Sequence, residues 1–362
     1  MPPKRLSLLL VLLGCLAGCP LPPDQKGGNA KDGEPDDTFA QAKTVSYVAG
    51  DFATLTGTID PDTDVDVFDL GPMQPGDRII VDVNDAAPAL DAIVACFDGR
   101  GRLFRENDDE DFAANRLDSF FDEAVRHASD RYYLAVSSSP FGRSTGDYII
   151  QVEIIRDGPV PPPQPQNFLL DFDGGTVSIP GDRTYDVGPF DAASIDAAYA
   201  GQTDELKRII VETFLERFSD FDVLLFTTDD DFAPPTPFSR ILFGGSNPRV
   251  FGISQAVDPY NARPADEAVI FSPTFGRAVF GRLLTIEELG LAIGQVAAHE
   301  AGHLLGLNHV ADITDLMDTI GGPSTLLDAQ DFKEAPLDDS VFGLGTQDAV
   351  LLLLEILGMA SS

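Results

Sequence analysis

His299-Glu300-Ala301-Gly302-His303-Leu304-Leu305-Gly306-Leu307-Asn308-His309 holds three of the chain's four histidines within eleven residues. Just upstream, Thr285-Ile286-Glu287-Glu288 has the Thr-x-x-Glu form of a capping box, so a helix is expected to start near Ile286. It runs through Leu289, Ile293, Val296 and Ala297 into the histidines. Four residues apart on that helix, His299 and His303 share one face. Two imidazoles so placed bind one metal ion, and nitrogen donors suit zinc. Gly306 ends the helix in a conformation costly for other residues, and the chain then brings His309 back to the same ion. Three protein ligands leave a fourth zinc position for water, which is the catalytic arrangement and not the closed structural one. Glu300, beside His299, is placed to take a proton from that water and deliver it to a leaving amine. A bare H-E-x-x-H arises by chance; its extension to Gly306 and His309 in so histidine-poor a chain does not. The fourth histidine, His127, has no spacing partner and reads as a surface or turn residue.

Around this motif, residues 167–362 alternate strand and helix patterns. Phe168-Leu169-Leu170-Asp171-Phe172 reads as a strand ending at Gly174-Gly175. Residues 204–218 have helical periodicity through Leu206, Ile209, Ile210, Phe214 and Leu215. Val223-Leu224-Leu225-Phe226 reads as a buried strand, and 240–243, 250–253 and 268–271 as further strands. A closing helix is expected over 348–357. Strand, helix, strand, more strands and late helices make an α/β domain with a mixed sheet.

A run of prolines over 157–166, Gly158-Pro159-Val160-Pro161-Pro162-Pro163-Gln164-Pro165 at its heart, favours an extended spacer. Ahead of it, residues 36–156 alternate apolar and polar residues in short bursts, such as Arg78-Ile79-Ile80-Val81-Asp82-Val83 and Tyr148-Ile149-Ile150-Gln151-Val152. Turn clusters such as Gln74-Pro75-Gly76-Asp77 punctuate them, the grammar of an all-β sandwich. The fold class expected is therefore multidomain, a β-sandwich followed by an α/β domain carrying the ligand helix.

The histidine motif resembles that of the metzincin zinc peptidases, H-E-x-x-H-x-x-G-x-x-H followed by a methionine-containing turn. Met317, in Asp315-Leu316-Met317-Asp318, matches that turn. The resemblance implies a zinc endopeptidase whose Met317 makes an apolar floor under the ligands, and a substrate peptide aligned on an edge strand somewhere in 240–271. Val310 after the third histidine and Asp318-Thr319 after the methionine depart from several branches, so the motif assigns no subfamily. The first domain resembles the bacterial pre-peptidase C-terminal domain through Glu34-Pro35-Asp36-Asp37, Gly57-Thr58-Ile59, Asp64-Val65-Asp66-Val67-Phe68, Asn107-Asp108-Asp109 and Ser144-Thr145-Gly146-Asp147-Tyr148. Some members of that family bind calcium near the domain's start. That makes Glu34, Asp36, Asp64 and Asp66 candidate Ca2+ ligands, against ordinary turn and surface roles.

At the other end, Lys4 and Arg5 precede an apolar run over 6–13 and the small residues of Leu16-Ala17-Gly18-Cys19. A basic head, a short apolar stretch and a small-residue exit describe a secretory signal over 1–18, too short to span a bilayer. Leu-Ala-Gly-Cys resembles the lipobox of bacterial lipoproteins, which implies lipidation of Cys19; Gly14-Cys15 is a second candidate, and a plain signal peptide of a secreted protein the alternative. Residues 19–35 read as a flexible tether. After such processing Cys96 is the remaining cysteine and cannot form an internal disulfide; in Ile93-Val94-Ala95-Cys96-Phe97 it reads as a small buried hydrophobe.

The chain's net charge of −35 makes nucleic acid a poor partner, since such partners need clustered Lys and Arg. Residues 36–157 carry 10 − 25 = −15 and residues 167–362 carry 10 − 31 = −21, so the acidity is spread, unlike an acidic tail. The sequence predicts an exported zinc-dependent endopeptidase of a bacterial cell envelope, anchored to a membrane through Cys19 and acting on protein or peptide. The alternative is a surface binding protein whose β-sandwich does the work and whose peptidase half is vestigial; an intact Glu300 argues against it. Trimming of short peptides is a third outcome with the same chemistry. The sequence carries no signal for oligomeric state.

Overall fold

The structure, a computed structural model, describes residues 36–48, 50–85, 90–109 and 118–360. The expected signal segment, the tether, Cys19 and Glu34 lie outside the described residues. Among the described residues no helix is long and apolar enough to cross a membrane. The chain divides into two compact units: one takes the described chain up to Pro161 together with Leu337–Thr346, the other Pro162–Pro336 and the chain from Gln347 on.

In the first unit the strands are β1 (Lys43–Thr44), β2 (Phe52–Ile59), β3 (Val65–Met73), β4 (Arg78–Asp85), β5 (Ala92–Asp98), β6 (Leu103–Asn107), β7 (Phe120–Ala124), β8 (Ser129–Ser138) and β9 (Gly146–Ile155). They form two sheets, ordered β1-β3-β8-β5-β6 and β2-β9-β4-β7. All pairings are antiparallel except β1 with β3. Alternation decides which way each strand faces: on β9, Tyr148, Ile150, Val152 and Ile154 point inward and the residues between them outward. Strand β5 instead is buried at every position, which is why Ile93–Phe97 reads as an unbroken apolar run. Cys96 is buried in it, as a small hydrophobe would be.

One face of β5 owes its burial to distant sequence. Ile93, Ala95 and Phe97 pack with Val67, Leu103 and Tyr133, and with Leu337, Val341 and Phe342. The rings of Phe97 and Phe342 lie 5.8 Å apart, edge to face. Leu337–Thr346 closes on itself through the Leu337 amide to the Gly345 carbonyl, and the Thr346 amide donates to the Gly101 carbonyl. The expectation that 167–362 forms one continuous domain is corrected here. Three apolar side chains in that segment find their core in the first unit.

The second unit begins with β10 (Gln166–Asp171), the hairpin β11 (Gly175–Ser178) and β12 (Thr184–Val187), and α1 (Thr203–Arg217). It continues with β13 (Val223–Thr227), β14 (Ser239–Phe243), β15 (Gly252–Ser254), β16 (Glu267–Ile270), α2 (Arg277–Phe280) and α3 (Ile286–Leu304). After the short strands β17 (Glu334–Pro336) and β18 (Thr346–Asp348) it ends in α4 (Ala349–Leu357). The sheet order is β13-β10-β14-β16-β15, with β15 antiparallel to β16 and the other pairs parallel. Phe168, Leu170, Ile241, Phe243, Ala268 and Ile270 face one core with Leu206, Ile210 and Phe214 of α1 and the buried face of α3. Leu242, Val269 and Ile253 face the opposite way, under Val177 and Tyr185 of the β11–β12 hairpin.

Two expectations are revised. Strand β13 is half-exposed, not buried, because it stands at a sheet edge with a single neighbour; Leu224 is 50% exposed. Leu215, counted in the apolar stripe of α1, is exposed because Ile210 and Phe214 already fill that face.

Candidate metal centre

Helix α3 starts as its capping box requires: the Glu288 amide donates to Thr285 Oγ1 at 3.2 Å and the Thr285 amide to Glu288 Oε2 at 2.9 Å. From Leu289 on it is almost wholly buried, so the ligand-bearing turn is fixed by core packing on every side. The helix closes with the Leu307 amide on the Gly302 carbonyl and the Gly306 amide on the His303 carbonyl, both at 2.9 Å. That pair of bonds is the Schellman closure, and Gly306 takes the left-handed φ of +97° that it demands.

The turn brings His309 back over the helix. Ligand atoms of His299, His303 and His309 lie within 4.8 Å of one another, the one such set of His, Cys, Asp and Glu among the described residues. His303 Nε2 and His309 Nε2 are 3.0 Å apart. Nδ1 of His299 donates to the Leu316 carbonyl at 2.7 Å, and Nδ1 of His303 to the Leu307 carbonyl at 2.8 Å. Each bond places the proton on Nδ1 and leaves the Nε2 lone pair directed at a common point, the arrangement that outer hydrogen bonds impose on metal-binding histidines. Burial disfavours the charged imidazoles: His299 is lowered, His303 is held well below its usual range by burial and then by His309 and His299, and His309 falls to about 3. Three neutral nitrogen donors converging in a buried site fit zinc.

Glu300 is 2% exposed. Burial pushes its carboxyl up to about 8, against the pull of the Ser254 backbone amide that donates to it. Its Oε2 is buried without a hydrogen-bond partner. A buried carboxyl oxygen left without a partner, on the residue that follows the His299 ligand, is costly unless something polar reaches it. The sheet edge holds this carboxyl from the other side. A Cβ on Gly252 of β15 would lie 2.6 Å from Glu300 Oε1 and 2.8 Å from its Cγ, so any larger residue there would have to push the Glu300 side chain aside.

Met317 is fully buried and packs against Gly302 of the ligand helix. Its carbonyl accepts the Val310 amide at 3.0 Å, and its amide donates to Asp315 Oδ1 at 2.7 Å. Asp315, also fully buried, accepts the Lys333 amide on Oδ2 at 3.1 Å. The carbonyl that orients His299 is thus set by a turn that Asp315 ties down on both sides.

Of the residues the sequence points to, the structure brings His299, His303 and His309 together, sets Met317 against Gly302 of the ligand helix, and buries Glu300 beside Gly252. Sequence reasoning did not find Gly252, Ser254, Asp315 or Gln347, whose partners lie far away along the chain except for the bond from Asp315 to Met317. The Asp-x-Met spacing of 315–317 is the one local signal available, since an aspartate commonly caps the amide two residues on.

The candidate calcium ligands behave differently. Asp36 pairs with Lys43 at 2.6 Å. Asp64 accepts the Val65 amide at 3.0 Å and the Asp60 amide at 3.2 Å, a turn role. Asp66 accepts the Tyr148 hydroxyl across the two sheets, and burial, with Asp36 adding to it, pushes its carboxyl up to about 7. Among the described residues these three make no convergent metal-binding set. His127 is half-buried, not a free surface residue: its Nε2 stands 3.3 Å from Asp98 Oδ2.

No protein-family model matches the chain, and no curated protein matches it by sequence. Solved structures give partial likenesses. A zinc-dependent peptidase from Methanocorpusculum labreanum is 14% identical over 45% of this chain and 93% of its own, at a TM-score of 0.29. An archaemetzincin from Methanopyrus kandleri is 14% identical over 46% of this chain and 87% of its own, at 0.27. The pre-peptidase C-terminal domain of a Bacillus anthracis collagenase is 13% identical over 32% of this chain and 94% of its own, at 0.24.

Proposed function

We propose that the protein is an exported zinc-dependent endopeptidase of the metzincin type, with a β-sandwich of the pre-peptidase C-terminal kind as its first domain. The observation that carries this reading is the convergence of three imidazoles on one point, with a buried carboxyl whose Oε2 is unpartnered on the residue that follows His299. His299, His303 and His309 hold the zinc. When bound, zinc supplies Lewis acidity toward a peptide carbonyl and acidifies water. Glu300 then takes the proton from the attacking water on Oε2 and hands it to the departing amine. The Ser254 amide and the bare Cα of Gly252 keep that carboxyl in one place, so the base is aimed before substrate arrives. Strand β15 stands at the sheet edge next to Glu300, where an extended peptide adds as a further strand. The Leu-Ala-Gly-Cys ending of the first nineteen residues supports membrane anchoring through Cys19.

Incubating the zinc-loaded protein with a diverse peptide library tests the activity. Cleavage should occur inside peptides, stop with a zinc chelator and return on adding zinc. A zinc-bound protein that cuts nothing, or cleavage indifferent to the chelator, overturns the assignment; failure to bind zinc favours the sandwich as the working half. Mass spectrometry of the mature N-terminus should find a lipidated Cys19, and an unprocessed Met1 rules the anchor out.

A further inference from the structure

His299 and His303 ride on a helix packed on all sides, but His309 sits on the loop that follows it. Its position therefore depends on what holds that loop's backbone. The Val310 amide is held by the Met317 carbonyl at 3.0 Å and the Ala311 amide by the Pro336 carbonyl at 2.8 Å. The residue before the ligand is held by a side chain. Gln347 Oε1 accepts the Asn308 amide at 2.7 Å, and Gln347 Nε2 donates to the Asn308 carbonyl at 2.8 Å. Gln347 is fully buried and Asn308 is 8% exposed, so neither bond is easily replaced by water.

We propose that Gln347 is a positioning residue for the third zinc ligand, its carboxamide clamping both faces of Asn308 so that His309 stands ready at the metal site. The inference rests on reading the three histidines as a zinc site. The chemistry asks for one donor and one acceptor, side by side, at the end of a side chain long enough to reach from β18. Glutamine meets all three needs; glutamate lacks the donor and leucine lacks both groups. With both groups of Asn308 engaged, the backbone entering His309 has little freedom, and less ordering remains to be done when zinc binds.

Zinc affinity, measured by competition with a chromophoric chelator, tests this on Gln347→Leu and Gln347→Glu in the full chain. Both should bind zinc about tenfold or more weaker, the range that outer hydrogen bonds command at metal sites. The visible spectrum of the cobalt-substituted variants should change as His309 loosens. Gln347→Glu keeps length and acceptor, and it carries the test if Gln347→Leu does not fold. Ser119→Ala is the control, because Ser119 is likewise buried, bonds the Ala92 and Asp108 carbonyls, and belongs to the first unit. It should lose stability and keep wild-type zinc affinity. Wild-type zinc binding in both Gln347 variants, or an equal loss in Ser119→Ala, overturns the proposal. A wild-type chain that binds no zinc overturns the underlying zinc reading instead.

Discussion

Replacing Glu300 by glutamine should leave zinc bound and lower peptide hydrolysis by about 10²–10⁴-fold, the usual contribution of a positioned general base. The three imidazoles keep their places in this variant, because the backbone bonds to Leu316 and Leu307 that orient His299 and His303 do not involve Glu300. Glutamine has the same length and can still accept the Ser254 amide, so geometry is kept and only proton transfer is lost. Zinc content and peptide turnover on the same preparation check it; turnover at the wild-type rate removes Glu300 from the mechanism. The same substitution has a second effect in metal-free protein. Burial raises the folded-state pKa of Glu300 from 4.5 to about 8. The folded chain then holds a proton that the unfolded chain releases, so the wild type loses stability as pH climbs through that interval. The variant has no carboxyl at this position to titrate and lacks that slope. Melting temperatures should diverge in favour of Glu300→Gln as pH rises from 4.5 toward 8, and parallel curves count against a buried, isolated carboxyl.

Substituting Gly306 by alanine should cost the zinc itself. A Cβ there would meet the Asp258 carbonyl oxygen at 2.7 Å, Pro259 Cα at 2.8 Å and the Tyr260 nitrogen at 2.9 Å. All three are backbone atoms, so no side chain can swing aside to make room. The left-handed φ adds strain of about 1–3 kcal/mol for a residue with a Cβ. Two ligands depend on this turn: the Leu307 carbonyl orients His303, and the chain reversal delivers His309. Zinc retained after dialysis should fall by about tenfold or more, with hydrolysis falling in proportion. The two variants therefore separate base from site, one inactive with zinc and one inactive without it. Full zinc retention in Gly306→Ala would mean that the reversal tolerates a wider loop than its contacts imply.

The ligand helix was legible because its signals are local. The capping box lies within its first turn, the histidines stand one turn apart, and the stop glycine comes two residues past the helix. Strand existence was legible for the same reason, through alternation on β9 and the unbroken run of β5. What the residues did not disclose is which neighbour each element meets. Val223–Thr227 has the composition of a central strand, and only the sheet order makes it an edge. Gln347 lies thirty-nine residues from the backbone it clamps, in a polar stretch with no periodicity to mark it. Gly252 looks like any glycine inside a strand until Glu300 is placed against it.

The segment Leu337–Thr346 bears on how such a protein can be inherited. Leu337, Val341 and Phe342 are buried in a core whose other members come from the first half of the sequence. Full burial of one such side chain is worth about 1.5–3 kcal/mol. Three together are comparable with the ~5–15 kcal/mol by which a whole domain is stable. A gene cut in the proline run would leave one product with a gap in its core and the other with three greasy side chains in water. Recombination that shuffles the halves as cassettes is thereby penalised. The histidine-bearing half should travel through evolution with its own sandwich, the two diverging as a pair.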